Sequence, residues 1–371
     1  MSENRGAPSD DSGTPPIDDL AKRLTRIDDR LLELLAERAC YAQQLGRSLR
    51  LTGQVSYDPN LHEATIARLE QAIAGKDSCL SRNAVRGIFR EILGACAVLE
   101  TPVRIGYLGP PGTFSHMAAR SAFGLGPTYV EFPDFLAIFR AVDRKQIEFG
   151  IVPFENSTEG GVTFTLDCFL TSAAQIRREF LLDVSQCLIG REHDFARIER
   201  VYSHPQPLAQ ARAWLASQLP RAQLVATPST TAAAREAADD PAAAAVASHL
   251  AAELYQLDIL AESIQDVADN VTRFVVIANT DAQATGRDKT SLFFSTPDEK
   301  GALLRALAIF YDEGLNLSRI ESRPAREKLW EYVFFADVQG HRTDPPVERA
   351  IKALEATCRT IKVLGSYPRA E

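Results

Sequence analysis

The sequence is poor in the features that announce the simplest functions. Its six cysteines, Cys40, Cys79, Cys96, Cys168, Cys187 and Cys358, stand alone in 371 residues: none makes a CxxC pair, and no histidine lies at ligand spacing from one. A zinc site is therefore not expected, and no other metal or cofactor is implied by the motifs. Scattered thiols behind an N-terminus with no charged-then-apolar export signal predict a reducing, cytoplasmic setting. No stretch approaches the ~20 uninterrupted apolar residues of a membrane span. Positive charge is not in excess: 41 Lys+Arg against 49 Asp+Glu give a net charge of −8. That disfavours nucleic acid as a partner, yet a small anion needs only a few local cations.

What is present is 45% hydrophobic residues in three segments of different periodicity, enough for a core in each. Residues 1–16 are polar and rich in Pro, Gly and Ser, and read as a disordered leader. From Ile17 to Leu45 apolar residues recur in steps of three and four, predicting a long amphipathic helix that breaks near Gly46 and Thr52-Gly53. Asp58-Pro59 reads as an N-cap and first position of a second helix to about Ile73, and Val85 to Leu99 carries the face of a third. Residues 17–101 are thus an all-α, three-helix domain that could dimerise to cover its seam. Residues 102–280 alternate short apolar strands with helices, which predicts an α/β domain with mainly parallel sheets, as one large sheet or two lobes. Residues 288–371 run βαββαβ, the ferredoxin-like α+β order.

Four segments of the middle domain concentrate polar groups at strand ends. The loop Gly106 to His116 (GYLGPPGTFSH) joins a strand to a helix, with Thr113 or Ser115 as cap, and is an anion cradle or an ordinary turn. It lacks the glycine spacing of GxGxxG and the Lys-Ser/Thr of a P-loop. The run Ile151 to Gly161 (IVPFENSTEGG) ends a buried strand in hydrogen-bonding side chains; helix capping by Asn and Ser is the plainer reading. In YSHPQPLAQ, Ser203 and His204 are sequence neighbours, which rarely face each other, and no GxSxG elbow supports a hydrolase. In NVTRF, Arg273 is a rigid fork suited to a carboxylate, or half of a surface ion pair.

Together these strings resemble the prephenate dehydratases across residues 103–279. The resemblance implies two α/β lobes like those of periplasmic binding proteins, with the site between them. It points to Thr272 as the catalytic hydroxyl, with Glu155 as its proton partner, and to Asn156, Ser203, Gln210 and Arg273 as substrate-binding positions, with Thr113 and Ser115 beside them. "GALL" from Gly301, Ala302 and Leu303, with "ESRP" at Glu321, Ser322, Arg323 and Pro324, resembles the phenylalanine-binding motifs of ACT domains, which implies feedback regulation and a homodimer or larger homo-oligomer. "LLELLAERA" resembles the chorismate mutase domain fused to many such enzymes. There Arg38, Asp58 and Glu100 are the remnant of the binding set, while Ala21, Leu49, Leu61, His62 and Cys96 depart from it, so weak or absent mutase activity is expected. The alternatives are a fully bifunctional mutase and dehydratase, a non-catalytic amino-acid sensor, and arogenate in place of prephenate.

Overall fold

The computed structural model describes residues 16–51, 59–74, 79–100, 103–267, 270–324 and 332–370. The leader expected at residues 1–16 falls almost wholly outside them, as does Asp58. The chain divides into two compact units. In the first, α1 (Ile17–Leu51) is one continuous 35-residue helix. Asp18 and Asp19 in its first turn complement the helix dipole. It runs through Gly46, one of the two places where a break is expected, and ends at Leu51; the other, Thr52-Gly53, lies outside the described residues. A single helical glycine costs only about 1 kcal/mol relative to alanine, and the helical pattern continues on both sides.

The second unit begins with α2 (Pro59–Ile73) and all but the last two residues of α3 (Arg82–Glu100), tied together by Arg86, which donates to Glu63 at 2.5 Å and to Glu70 at 2.8 Å. Both helices are anchored to the α/β body that follows. Glu63 also pairs with Arg178 at 2.6 Å, and Asn60 donates to the Arg177 carbonyl. A Cβ on Gly126 would lie 2.1 Å from the Gly94 carbonyl oxygen, so the α3 backbone meets that loop directly. Compactness therefore does not follow the boundary of a separate three-helix domain.

The first lobe comprises β1 (Arg104–Leu108), α4 (Phe114–Phe123), β2 (Thr128–Phe132), α5 (Phe135–Asp143), β3 (Phe149–Asn156), the short β4 (Gly160–Gly161), α6 (Thr163–Thr171) and β5 (Gln175–Asp183). The chain then crosses to a second lobe of β6 (Cys187–Gly190), β7 (Arg200–Ser203), α7 (Pro205–Gln210), α8 (Arg212–Gln218), β8 (Gln223–Ala226), α9 (Thr230–Asp239), β9 (Ala243–Ala247), α10 (His249–Tyr255) and β10 (Asp258–Ala261). It returns to complete the first sheet with β11 (Val271–Ala278), giving orders β2-β1-β3-β11-β5 and β10-β6-β9-β7-β8. Leu181–Ile189, one strand by its apolar run, is two strands in different lobes, because residues 184–186 form a crossing segment. The two crossings are stitched together by Val184 N–H to Asn270 O at 2.8 Å and Ile264 N–H to Gln186 O at 2.9 Å. The sheets are mixed rather than mainly parallel: β11 is antiparallel to both neighbours, and so is β6.

The last domain has β12 (Asp288–Ser295), α11 (Ala302–Asp312), β13 (Leu317–Pro324), β14 (Tyr332–Gln339), α12 (Pro345–Thr357) and β15 (Thr360–Pro368), in the expected βαββαβ order and with sheet order β13-β14-β12-β15. One face of this sheet packs Leu292, Phe294, Ala336 and Val338 under the helices. The other face places Phe293, Val333, Phe335, Leu364 and Tyr367 in the same core as Phe154, Phe169 and Ile176 of the first lobe. Gly365 makes the approach possible, since a Cβ there would lie 2.2 Å from the Ile176 carbonyl oxygen. Among the described residues, no helix is long and apolar enough to cross a membrane.

Candidate active site

Antiparallel pairing places Thr272 opposite Asn156 and Arg273 opposite Glu155. Successive strand residues point to opposite faces of a sheet. The two pairs therefore separate: one faces the cleft, the other the reverse side of the sheet.

On the cleft face the Thr272 hydroxyl, on a residue only 7% exposed, accepts from Asn156 Nδ2 at 2.9 Å. Asn156 Nδ2 also donates to Asn270 Oδ1 at 2.8 Å, while Oδ1 accepts from Thr158 Oγ1 at 2.6 Å and from the backbone N–H groups of Thr158 and Glu159. Every contact agrees with one orientation of the amide. Thr272 thus has its acceptor side occupied by a fixed N–H and keeps its own proton for donation. Glu159, on the same turn, accepts from Gln206 Nε2 of the second lobe at 2.6 Å. That makes Glu159 a carboxylate held between the lobes at this site, a residue the sequence motifs do not single out. Asn270 was missed as well.

From the second lobe, fully buried Ser203 ends β7 and donates to the Val246 carbonyl at 2.7 Å. His204 does not approach its hydroxyl as a base: its ring Nδ1 accepts from Gln206 N–H and caps α7. Gln210 accepts at Oε1 from Gln186 Nε2 at 3.2 Å, on the first crossing segment. Thr113 spends its hydroxyl locally, donating to the Leu108 carbonyl and accepting from His116 N–H as the cap of α4. Ser115 is buried one turn on. Gly112 (φ +93°) adopts a left-handed conformation that side chains rarely take, and its carbonyl accepts from Ser248 across the cleft at 2.7 Å. Burial pushes the His116 imidazole below its usual range, helped by Arg120, so the ring that accepts from Gly112 N–H stays neutral.

The reverse face corrects two expectations. The Arg273 guanidinium turns away from the cleft to Asp337 at 2.6 Å, the Tyr367 hydroxyl at 2.8 Å and Glu155 at 3.3 Å, and it stacks over Phe154. Its Nε also lies 2.6 Å from Glu179, an ion pair whose N–H is not aligned for a hydrogen bond. Glu155 is held there too, by Arg273 and by Arg319 at 3.4 Å. Neither residue stands beside the Thr272 hydroxyl, because each is one strand position away from the residue that does.

Topology brings the start of α11 and the end of β13 to one end of the last sheet, since β12 and β13 are both antiparallel to β14. Gly301, at φ +76°, leads into Ala302 and Leu303 without a side-chain cap. Ser322 and Pro324 are exposed, whereas Arg323 pairs with Asp167 at 3.6 Å and Glu321 lies against Gly161, both of the first lobe. Arg38 is on α1 with its Nη1 buried and without an acceptor; Glu100 is in the last turn of α3, its side chain outside the described residues. A cavity of about 580 Å³, crossed by the Arg120–Glu253 pair, contains none of the cleft residues named above.

The family model of prephenate dehydratase matches residues 105–282, that of the ACT domain 290–356, and that of chorismate mutase type II 20–101. A bifunctional chorismate mutase/prephenate dehydratase of Aquifex aeolicus is 42% identical over 357 residues, 95% of this chain and 98% of that one. A prephenate dehydratase from Arthrobacter aurescens, solved in complex with L-Phe, has 36% identity and a TM-score of 0.66, over 72% of this chain and 90% of that one. A quorum quenching acylase, GqqA, has 30% identity and a TM-score of 0.65, over 71% and 97%.

Proposed function

The chain belongs to the prephenate dehydratase family, in the form with a chorismate mutase type II domain in front and an ACT domain behind, and on that footing we propose that it converts prephenate to phenylpyruvate between its two lobes. The bond to the ring carboxylate breaks and releases CO2, its electron pair enters the ring, and the ring hydroxyl leaves as water once it has gained a proton. Aromatisation drives the sequence, so the protein must orient the dianion and supply that proton. The single observation that carries the reading is the Thr272–Asn156 pair: a fixed amide donor leaves the threonine O–H as a directed donor for the departing oxygen. Positioned proton donation contributes roughly 10²–10⁴-fold. The carboxylate that faces the cleft from the same turn is Glu159, and it takes the proton-supplying role first expected of Glu155. Gln210 presents its polar group from the opposite lobe, fully buried Ser203 ties β7 to β9 beneath it rather than facing the substrate, and the neutral His116 steadies the Gly112 loop.

The acylase relative raises a second reading, acyl transfer from a serine. The Ser203 proton goes to a backbone carbonyl and its neighbouring histidine caps a helix, so that residue lacks the base an acyl-transfer nucleophile requires.

Phenylalanine is the effector, bound at the Gly301 to Leu303 and Glu321 to Pro324 end of the ACT domain. Six free thiols fit a cytoplasmic enzyme. The α1 stripe exposes Leu24, Ile27, Leu31, Leu34 and Leu45, each at least half uncovered, which a second copy of the chain would bury. In the mutase portion, the apolar Ala21 and Leu49 leave Arg38 as the main surviving cation, so chorismate turnover is weak or lost.

The test is direct: purified protein is given prephenate, and phenylpyruvate is read by its absorbance. Thr272→Val keeps the β-branched shape in β11 and removes the hydroxyl, both the donor and the acceptor of the Asn156 amide; kcat is expected to fall at least 100-fold, and Thr272→Ser to stay within about fivefold of wild type. Unchanged turnover by the valine variant would remove the hydroxyl from the mechanism.

A further inference from the structure

Between the first lobe and the ACT sheet lies a cluster of charges that the reaction in the cleft does not use. Its least satisfied member is Arg319, on β13. Its side chain is 8% exposed, and two of its nitrogens, Nε and Nη1, are buried without hydrogen-bond geometry to any acceptor. The guanidinium stacks over Phe154 at 4.8 Å, touches Glu155 at 3.4 Å through Nε, and holds Glu321 through Nη2.

Each of those contacts leads to the catalytic turn. Glu155 immediately precedes Asn156 on β3, so the position of its carboxylate sets the strand from which the amide of Asn156 is presented. Glu321 lies against β4: a Cβ on Gly161 would be 2.1 Å from its Oε2, so the carboxylate occupies space that a side chain at 161 would need. β4 pairs with β3 at Glu155–Gly161 and Asn156–Gly160, and the turn between them carries Thr158 and Glu159. One cation therefore grips both sides of the hairpin that fixes Asn156. It reaches the hairpin from the face opposite the substrate, and from a strand of the regulatory domain.

We propose that Arg319 is a positioning residue of the dehydratase reaction: by clamping Glu155 and Glu321 on the reverse face of the β3–β4 hairpin, it holds Asn156 and Glu159 in register with Thr272. Because β13 also carries the Glu321 to Pro324 motif, the clamp gives the ACT domain a mechanical hold on the site. Displacing β13 by a fraction of a side-chain length loosens Asn156 without any contact between effector and substrate. The proposal rests on the dehydratase reading and adds to it a residue that touches neither ligand.

The experiment uses the full chain and steady-state prephenate turnover of wild type, Arg319→Met and Arg319→Lys, with and without phenylalanine, and with phenylalanine binding measured by calorimetry. Absence of turnover in the wild type would count against the dehydratase reading itself. With wild-type turnover established, Arg319→Met is expected to lower kcat about tenfold with KM within twofold. Arg319→Lys should recover most of the loss, because a charge at that place is what the clamp requires. Inhibition by phenylalanine should weaken about tenfold in the methionine variant while calorimetric affinity stays within threefold. An unchanged kcat, or an equal fall in the lysine and methionine variants, overturns the proposal. If Arg319→Met fails to fold, Arg319→Gln, Glu155→Gln and the double variant carry the same test, since each single change removes one side of the clamp. Non-additive losses in kcat support a shared clamp, and additive ones overturn it.

Discussion

Replacing Arg273 by methionine separates two readings of this residue that the sequence alone leaves equivalent. If Arg273 clamps the substrate, losing one charge-assisted hydrogen bond removes about 1.5–3 kcal/mol of binding, which is a roughly 10- to 150-fold rise in KM with little change in stability. The structure points the other way. The partners left behind are Asp337, whose side chain is 1% exposed, and Glu179, at 3%. Glu179 keeps Lys289 at 3.0 Å, but among the described residues Asp337 keeps only the Ser291 hydroxyl as a direct hydrogen-bond partner. Breaking a buried pair in this way costs about 3–5 kcal/mol, a large share of the ~5–15 kcal/mol that holds a folded domain together. The expected outcome is a lower denaturant midpoint, read by circular dichroism, with KM for prephenate within threefold in the protein that stays folded. Acidity adds a second, independent readout. In the wild type, burial pushes the Asp337 carboxyl upward, but Arg273, Lys289, Ser291 and Arg319 outweigh it and hold the group below the usual range. Its ionised form contributes stability that is present above the unfolded value of about 3.9 and is lost as pH falls through the lower folded value. In Arg273→Met burial prevails and the sign reverses, so the deficit should shrink as pH is lowered from 7 toward 5. A variant of wild-type stability with KM raised tenfold or more would refute the structural assignment.

Two further outcomes follow from the same geometry. Glu159→Gln should lower kcat by about 100-fold, since it removes a carboxylate that the second lobe's Gln206 holds at the cleft; full turnover by this variant would return the proton source to another group. Chorismate given to the full chain, with prephenate formation followed by coupled release of phenylpyruvate, should turn over at a small fraction of the rate seen with prephenate, because Ala21 and Leu49 provide no charge; comparable rates would establish a working mutase.

Strand and helix positions were readable where one physical signal dominated. The βαββαβ order of the last domain follows from alternation and from turn residues, and it recurs in the fold. Errors fell where tertiary context overrides local pattern. Gly46 was expected to break a helix that neighbouring turns carry through. The apolar stretch Leu181–Ile189 has the period and hydropathy of one strand, although the chain changes lobes in its middle, because neither property says which sheet a strand joins. β2 and β10 carry no clear apolar signal because half-exposed residues dilute it, and the first part of β5 carries none because it buries the charged Arg177 and Glu179.

The site was legible as a set of strings and illegible as a surface, and pleating explains why. ENSTEGG and NVTRF each contain residues for two different tasks at adjacent positions, so proximity in sequence groups Glu155 with Asn156 and Thr272 with Arg273. The sheet sorts them by parity: Asn156 and Thr272 to the cleft, Glu155 and Arg273 to the ACT domain. A short motif that recurs intact in a protein of this architecture therefore carries two constraints at once, catalysis on one face and domain attachment on the other. Shifting either strand by one residue would exchange the faces, burying a threonine against the regulatory domain and turning a guanidinium toward the substrate. The bulge between Arg273 and Phe274 lies immediately after this pair, where the register with β3 shifts. It lets the apolar remainder of β11 pack its own way while the catalytic pair keeps its alignment.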